Sequence, residues 1–126
     1  MEPIARLRAV VLDCPDPRSL AQFYRDLVGG EVLDDDDDWV RLRDGGNVLL
    51  SFQRVEDYRA PDWPSADNPQ QFHIDVTIDG AAREEAESRV LALGARRHEV
   101  QPGLDEGDPF VVYLDPVGHP FCFCWD

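Results

Sequence analysis

The segment QFHIDV, residues 71–76, alternates apolar and polar side chains with the period of two expected of a strand that buries one face. His73 and Asp75 therefore project to one side, opposite Phe72, Ile74 and Val76. A carboxylate beside an imidazole fixes its tautomer or favours its charged form, and either state serves proton transfer. The same imidazole could instead ligate a metal, or act as a neutral hydrogen-bonding group in a pocket wall. Near the chain end, Cys122 and Cys124 are also spaced two apart and share one side. Two such sulfurs stand about 7 Å apart, wide for a single ion held about 2.3 Å from each. Three cysteines are an odd count, and this spacing suits reduced thiols better than a disulfide.

The elements that must position these groups occur twice. RLRAVVLDCPD reads as a strand ending at Asp16, a helix N-cap, with Pro17 at the first helical position. Leu20, Phe23, Tyr24, Leu27 and Val28 then recur at helical spacing, and Gly29 and Gly30 stop the helix. Strands are predicted at 31–33, 39–43 and 48–53. The pattern restarts with FHIDVTID, where Asp79 can cap a helix carrying Ala82, Ala86, Val90 and Leu93 on one stripe before Gly94. Further strands are predicted near 96–100, 110–114 and 120–125. Between the halves, EDYRAPDWPSADNPQ is rich in Pro, Asp and Ser and reads as a linker.

The fold class predicted is α+β: two βαβββ modules, about 5–55 and 71–126, joined by a linker of about 56–70 in one domain. Counting fixes their equivalence. Ala9 precedes Gly30 by the same distance as His73 precedes Gly94, and Ser51 follows Asp44 as Cys122 follows Asp115. Alternation sends Phe72, Ile74, Val76, Ile78, Phe121, Phe123 and Trp125 beneath the second helix. The opposite face then carries Ala9, Val11, Asp13, Leu49, Ser51 and Gln53 from one module. From the other it carries His73, Asp75, Thr77, Cys122 and Cys124. Such a mixture fits a wet concave pocket.

Composition narrows the partners. Among 126 residues, 26 are acidic and 12 basic, all of the latter Arg, for a formal charge of −14. That field repels nucleic-acid phosphates and anionic lipid, and mildly favours a neutral or cationic small molecule. Neither a membrane span nor the apolar stretch of a signal peptide is evident, so a cytoplasmic protein is expected. The run Asp34 to Asp38 lacks the glycine and glutamate spacing of a calcium loop and reads as a solvated hairpin tip. His98 falls in an edge-like strand, and His119 in the turn DPVGHP.

DCPDPRSLAQFYRDLVGG, the HID strand, PDWPSADNPQQFHIDV and DPVGHPFCF, within paired modules, resemble the vicinal oxygen chelate superfamily, which includes glyoxalase I, bleomycin-resistance proteins and extradiol dioxygenases. They are especially similar to small bacterial glyoxalase-like domain proteins. The resemblance spans nearly the whole chain. It implies a curled, cup-shaped mixed sheet with helices outside, often completed by dimerisation. It also implies metal ligands from the first and fourth strands of each module, which fall here on Ala9, Ser51, His73 and Cys122. Ala9 cannot coordinate, Ser51 is a poor ligand, and Cys122 stands where a carboxylate is usual. No resident metal or other cofactor is therefore expected.

In the implied fold Cys122 lies beside His73, so a Cys–His thiolate is one chemistry to test. The expectation carried forward is a homodimer that binds a small cationic or aromatic molecule in the cup between its modules. The predicted lining is Asp13, Ser51, Gln53, Trp63, His73, Asp75, Thr77, Cys122 and Cys124. Asp13 is expected at the rim, and Trp63 either as a lid or as a cover for apolar surface where the modules meet. Drug sequestration of the bleomycin-resistance kind and a glyoxalase-type lyase or isomerase are the alternatives. The latter would be either metal-dependent or metal-free, with His73 and Asp75 as proton carriers.

Overall fold

A computed structural model describes residues 3–34 and 36–126 and divides the chain into two compact units, Met1–Tyr58 and Arg59–Asp126. Each unit contains one four-stranded mixed sheet, so the α+β class and the paired βαβββ modules are both present. The segment 59–70, which follows the first module, belongs to the second unit. No helix among the described residues is long and apolar enough to cross a membrane.

In the first unit the order is β1 (Val10–Cys14), α1 (Pro17–Val28), β2 (Glu31–Leu33), β3 (Trp39–Asp44) and β4 (Asn47–Arg54). The sheet order is β1-β4-β3-β2, with β1 and β4 parallel and the other pairs antiparallel. The Asp16 side chain accepts the Ser19 N–H at 3.5 Å, Pro17 opens α1, and Gly29, at φ 85°, closes it. Leu20, Ala21, Phe23 and Tyr24 are buried. Tyr24 stacks on Phe52 with ring centroids 5.7 Å apart. Full burial of side chains of this size is worth about 1.5–3 kcal/mol each, so this pair anchors helix to sheet. The apolar stripe is shorter than its spacing predicted. Leu27 is only half-buried and Val28 is exposed, because the chain leaves the sheet at Gly29.

The second unit runs β5 (Ile74–Thr77), a 3-10 turn (Gly80–Ala82), α2 (Arg83–Ala92), β6 (Arg96–Arg97), α3 (Pro102–Glu106), β7 (Phe110–Leu114) and β8 (Pro120–Cys124). Its sheet order is β5-β8-β7-β6, the same topology as the first. Phe121, Phe123 and Tyr113 are buried and in mutual ring contact.

Phe72 is 85% exposed rather than packed beneath the helix, because it precedes β5, which starts only at Ile74. Asp79 caps the 3-10 turn, accepting the Ala81 N–H at 3.0 Å, and α2 proper begins at Arg83. Of the predicted stripe Val90 is buried, Ala82 and Ala86 are half-buried and Leu93 is exposed. The strand predicted at 96–100 ends after Arg97. There the Gln101 amide takes over the pairing, accepting the Val112 N–H at 2.8 Å and donating to the Val112 carbonyl at 2.8 Å. A side chain thus satisfies the Val112 N–H that a longer strand would have paired, while the Val112 carbonyl also accepts the His98 backbone N–H at 3.1 Å. Pro102 then starts α3, a short helix absent from the prediction, and Gly107 ends it at φ 77°.

Asp115, fully buried, organises the DPVGH turn. Its carboxylate accepts the N–H groups of Val117 (2.9 Å) and His119 (3.0 Å) and meets His119 Nδ1 at 2.7 Å. His119 therefore serves the turn. A Cβ at Gly118, where φ is +97°, would lie 2.7 Å from the Ala60 Cβ, so glycine lets the 59–70 segment pass close to this turn.

Candidate functional site

The parallel pair β5–β8 puts Asp75 opposite Cys122 and Thr77 opposite Cys124. In the first unit the parallel pair β1–β4 puts Val11 opposite Ser51 and Asp13 opposite Gln53. The two registers are equivalent, each matching its counterpart residue by residue. Side chains on these faces meet very different surroundings.

One face of the second sheet borders a cavity of about 360 Å³. Trp63, Pro102, Phe110, Val112 and Pro120 form its apolar walls, and Gln70, His73, Asp75, Cys122 and Cys124 supply its polar groups and thiols. Five of the residues singled out from the sequence thus gather here: Trp63, His73, Asp75, Cys122 and Cys124. Thr77 is exposed and is not part of the lining. Gln70, Pro102, Phe110, Val112 and Pro120 escaped the sequence reading. Alternation could have offered Phe110, Val112 and Pro120, whose register partners are Cys124, Cys122 and Leu114. Gln70 and Pro102 lie outside the strands and left no periodic signal.

His73 Nε2 lies 3.2 Å from Asp75 Oδ1, with the two side chains 44% and 59% exposed. The Cys122 thiol is buried, and that burial, reinforced by the nearby Asp75 carboxylate and its hydrogen bond, pushes its pKa up to about 12. Cys124 is pushed up as well, by burial first and then by Asp75. These surroundings favour an inert, protonated Cys122 over an activated Cys–His thiolate. Cys122 faces a carboxylate across the strand pair, and a neighbouring negative charge disfavours a second one.

Trp63 is fixed by an unforeseen partner. His98 Nδ1 accepts the Val100 N–H at 2.9 Å, so its proton sits on Nε2, which donates to the Trp63 carbonyl at 2.9 Å. The two rings meet edge-on with centroids 5.0 Å apart. Within the same segment Asn68 Nδ2 donates to the Ala60 carbonyl at 2.6 Å, and the Asp62 N–H donates to the Asn68 carbonyl at 2.6 Å. The Pro-rich stretch is thus an ordered strap whose tryptophan walls the cavity. Gln70 Oε1 is buried without a hydrogen-bond partner among the described residues.

The remaining sequence candidates belong to the first unit. Ser51 is buried, Asp13 is exposed, and Gln53 lines a separate cavity of about 470 Å³ with Asp38, Trp39, Arg54 and Glu56. Ala9 is half-buried just before β1. Asp35 in the acidic run lies outside the described residues. Asp34 and Asp37 pair with Arg18 of α1, and the described members of the run are exposed.

Two sets of residues bear on whether the chain could hold a metal. The set implied by the resemblance fails at Ala9, which has no donor atom, and at Ser51, whose hydroxyl is a weak donor. A different set converges within the second unit: ligand atoms of His73, Asp75 and Cys122 all lie within 4.8 Å of one another. Nitrogen, oxygen and sulfur together suit a borderline-soft divalent ion.

Residues 9–124 match the family model described as the glyoxalase-like domain. No functionally curated protein shows significant sequence similarity to the chain. Among solved structures, a glyoxalase/bleomycin resistance protein/dioxygenase family enzyme from Burkholderia phytofirmans PsJN superposes with a TM-score of 0.69 at 16% identity, covering 96% of this chain and 98% of that one. A lactoylglutathione lyase from Agrobacterium tumefaciens gives 0.62 at 23% identity, with 98% and 96% covered. A fosfomycin resistance protein, FosX, from Listeria monocytogenes, complexed with Mn(II) and a dihydroxypropylphosphonic acid, gives 0.68 at 15% identity, with 98% and 93% covered. At these identities the likeness is one of fold.

Proposed function

The chain belongs to the glyoxalase-like domain family, within the vicinal oxygen chelate superfamily, and from that premise we propose that its second module binds a small, neutral or cationic organic molecule with an aromatic or aliphatic body. The observation that carries this reading is the cavity of about 360 Å³ whose walls are mainly apolar and whose lining contains neither Arg nor Lys. A body of that kind would pack between Trp63, Phe110 and Val112. Two acceptors can take a donor from a ligand: the unpartnered Gln70 Oε1, and the Asp75 carboxylate, which stays more than half exposed beside its contact with His73. A ligand N–H or ammonium group satisfies both, whereas a phosphonate or a dicarboxylate would meet Asp75 without a compensating cation. The chain's formal charge of −14 acts in the same direction. Binding alone suffices for a sequestering protein of the bleomycin-resistance kind, and this reading requires no resident metal.

A second reading follows from the His73–Asp75 contact of 3.2 Å at the cavity. With the carboxylate orienting the imidazole, His73 would take a proton from carbon next to a carbonyl and return it at the neighbouring position, an isomerisation in which no group leaves.

A thermal-shift screen with cationic aromatic compounds, matched anions and small aldehydes tests both. Amines that raise the melting temperature in a saturable manner, with matched anions inert, support the first reading. Preference for the anions would overturn it. Turnover of any hit that vanishes in His73→Gln while binding persists would establish the second. In either case the expected assembly is a homodimer, offered apolar surface by the exposed Ile4, Leu7, Val10 and Leu49, and mass measurement in solution decides it.

A further inference from the structure

We propose that the second module carries another binding site, on the opposite face of its sheet, for a small zwitterion with an apolar body, the chemistry of a free α-amino acid such as phenylalanine or leucine. Strand β7 serves both faces. Phe110 and Val112 wall the cavity beside Asp75, while Val111 and Tyr113, one residue out of phase, line a hollow of about 450 Å³ bordered by α2 and α3. That volume is in the range of small-molecule sites.

The hollow follows from the sequence of α2. At the spacing that matches Ala9 with His73, the buried Leu20 and Phe23 of α1 correspond to Glu84 and Glu87. Where α1 fills the space over its sheet with apolar side chains, α2 presents carboxylates and buries only Val90. Carboxylates keep water or a partner around them, so the space stays open. Val111, Phe123 and Trp125 give it an apolar floor, and Leu104 of α3, 45% exposed, adds an apolar wall. The Trp125 ring is fixed from two sides: a Cβ at Gly80 would lie 2.7 Å from its Cδ1, and the Arg83 guanidinium lies 5.0 Å from its centroid.

The charges around the hollow decide what it takes. Glu87 is already satisfied, since Arg97 Nη1 reaches its two oxygens at 2.9 and 3.1 Å and the Tyr113 hydroxyl donates to it. Arg83, Glu84 and Asp108 also line the hollow, and among the described residues none of these three is in an ion pair. A ligand bearing only a carboxylate would meet both unpaired acids, and one bearing only an ammonium group would meet Arg83. A zwitterion answers both signs: its carboxylate takes the Arg83 fork, its ammonium group takes Glu84 or Asp108, and its side chain lies on the apolar floor.

Full-length protein is titrated by calorimetry with phenylalanine, with N-acetylphenylalanine, which lacks the ammonium group, and with phenylalaninamide, which lacks the carboxylate. Phenylalanine should bind saturably at one per chain, and about tenfold or more tighter than either analogue, the loss expected for one charge-assisted pair. Arg83→Gln, at an exposed position, should weaken it by about tenfold or more, as should Glu84→Gln combined with Asp108→Asn, with far-ultraviolet circular dichroism unchanged. Asp75→Asn, on the other face, should leave the affinity for phenylalanine as it is. Absence of saturable binding by both phenylalanine and leucine overturns the proposal. So does an analogue that binds as tightly as phenylalanine, an affinity indifferent to Arg83→Gln, or a loss of binding in Asp75→Asn.

Discussion

The two modules share a register and differ in nearly everything placed on it. Ala9, Val11 and Ser51 in the first occupy the positions that His73, Asp75 and Cys122 occupy in the second. The helices diverge as well. α1 buries Leu20, Phe23 and Tyr24 against its sheet, whereas α2 buries only Val90 and leaves Leu91 and Leu93 exposed. In the second unit the apolar burden moves to the sheet, where Tyr113, Phe121 and Phe123 pack together. Arg83 lies over the Trp125 ring at 5.0 Å, and Arg97 pairs with Glu87 at 2.9 Å. A duplicated frame thus holds one module specialised in packing and another that gathers titratable groups beside a cavity.

The largest effects should come from the cores. Phe52→Ala in the first module and Phe121→Ala in the second each remove a fully buried ring and should cost about 3–5 kcal/mol in denaturant unfolding. Phe52→Ala should also loosen α1, which leans on that ring through Tyr24. A loss of helical signal confined to Phe52→Ala would sharpen the contrast, and equal losses in both variants would erase it.

Alkaline pH should act on the second module. Cys122 and Tyr113 are both pushed up to about 12 in the folded chain, mainly by burial, from ordinary values of 9.0 and 10.0. Their neutral forms favour the folded state fully below the ordinary values. The unfolded chain ionises first, so this contribution is lost as pH rises from about 9 to about 12. Melting temperature should fall through that window, and the fall should be shallower in Cys122→Ser combined with Tyr113→Phe. An unchanged slope would show that neither group controls it.

Unfastening the strap is the next test. His98→Ala removes the Nε2–H bond to the Trp63 carbonyl and should cost about 1–2 kcal/mol, shift tryptophan emission to the red, and weaken any cavity ligand. His98→Gln, able to donate to the same carbonyl, should recover part of the affinity. Emission unaltered in His98→Ala would mean that Trp63 is held by other means.

The smallest effects concern the caps. Asp16→Ala should cost about 0.5–2 kcal/mol, because Asp16 caps a packed helix. Asp79→Ala should cost less, since Asp79 caps a 3-10 turn ahead of a lightly buried helix. The reverse order in thermal melts would show that α2 matters more than its burial indicates.

Features written in consecutive residues were legible before any coordinates. Asp16-Pro17 and Gly29 bracket α1, and alternation assigned Asp75, Cys122 and Cys124 to one face. Counting between glycines matched Ala9 with His73, and the strand registers agree with that match. The prediction failed where a side chain replaced local backbone pairing. Gln101 ends β6 by pairing with Val112, eleven residues away, and no propensity at Gln101 signals this. His98 likewise gave no sign that it would grip Trp63, 35 residues earlier.

By itself the sequence determined the repeat, the α+β class, the faces of the strands and the acidic field, because period, caps and charge are properties of neighbours along the chain. Only the tertiary structure decided that Asp75, rather than His73, is the direct partner of Cys122, and that the Pro-rich strap brings Trp63 and Gln70 to the same cavity. Those choices depend on which distant backbones align and at what offset. A displacement of one residue between β5 and β8 would turn every side chain of β5 to the other face, and nothing within either strand alone specifies that offset.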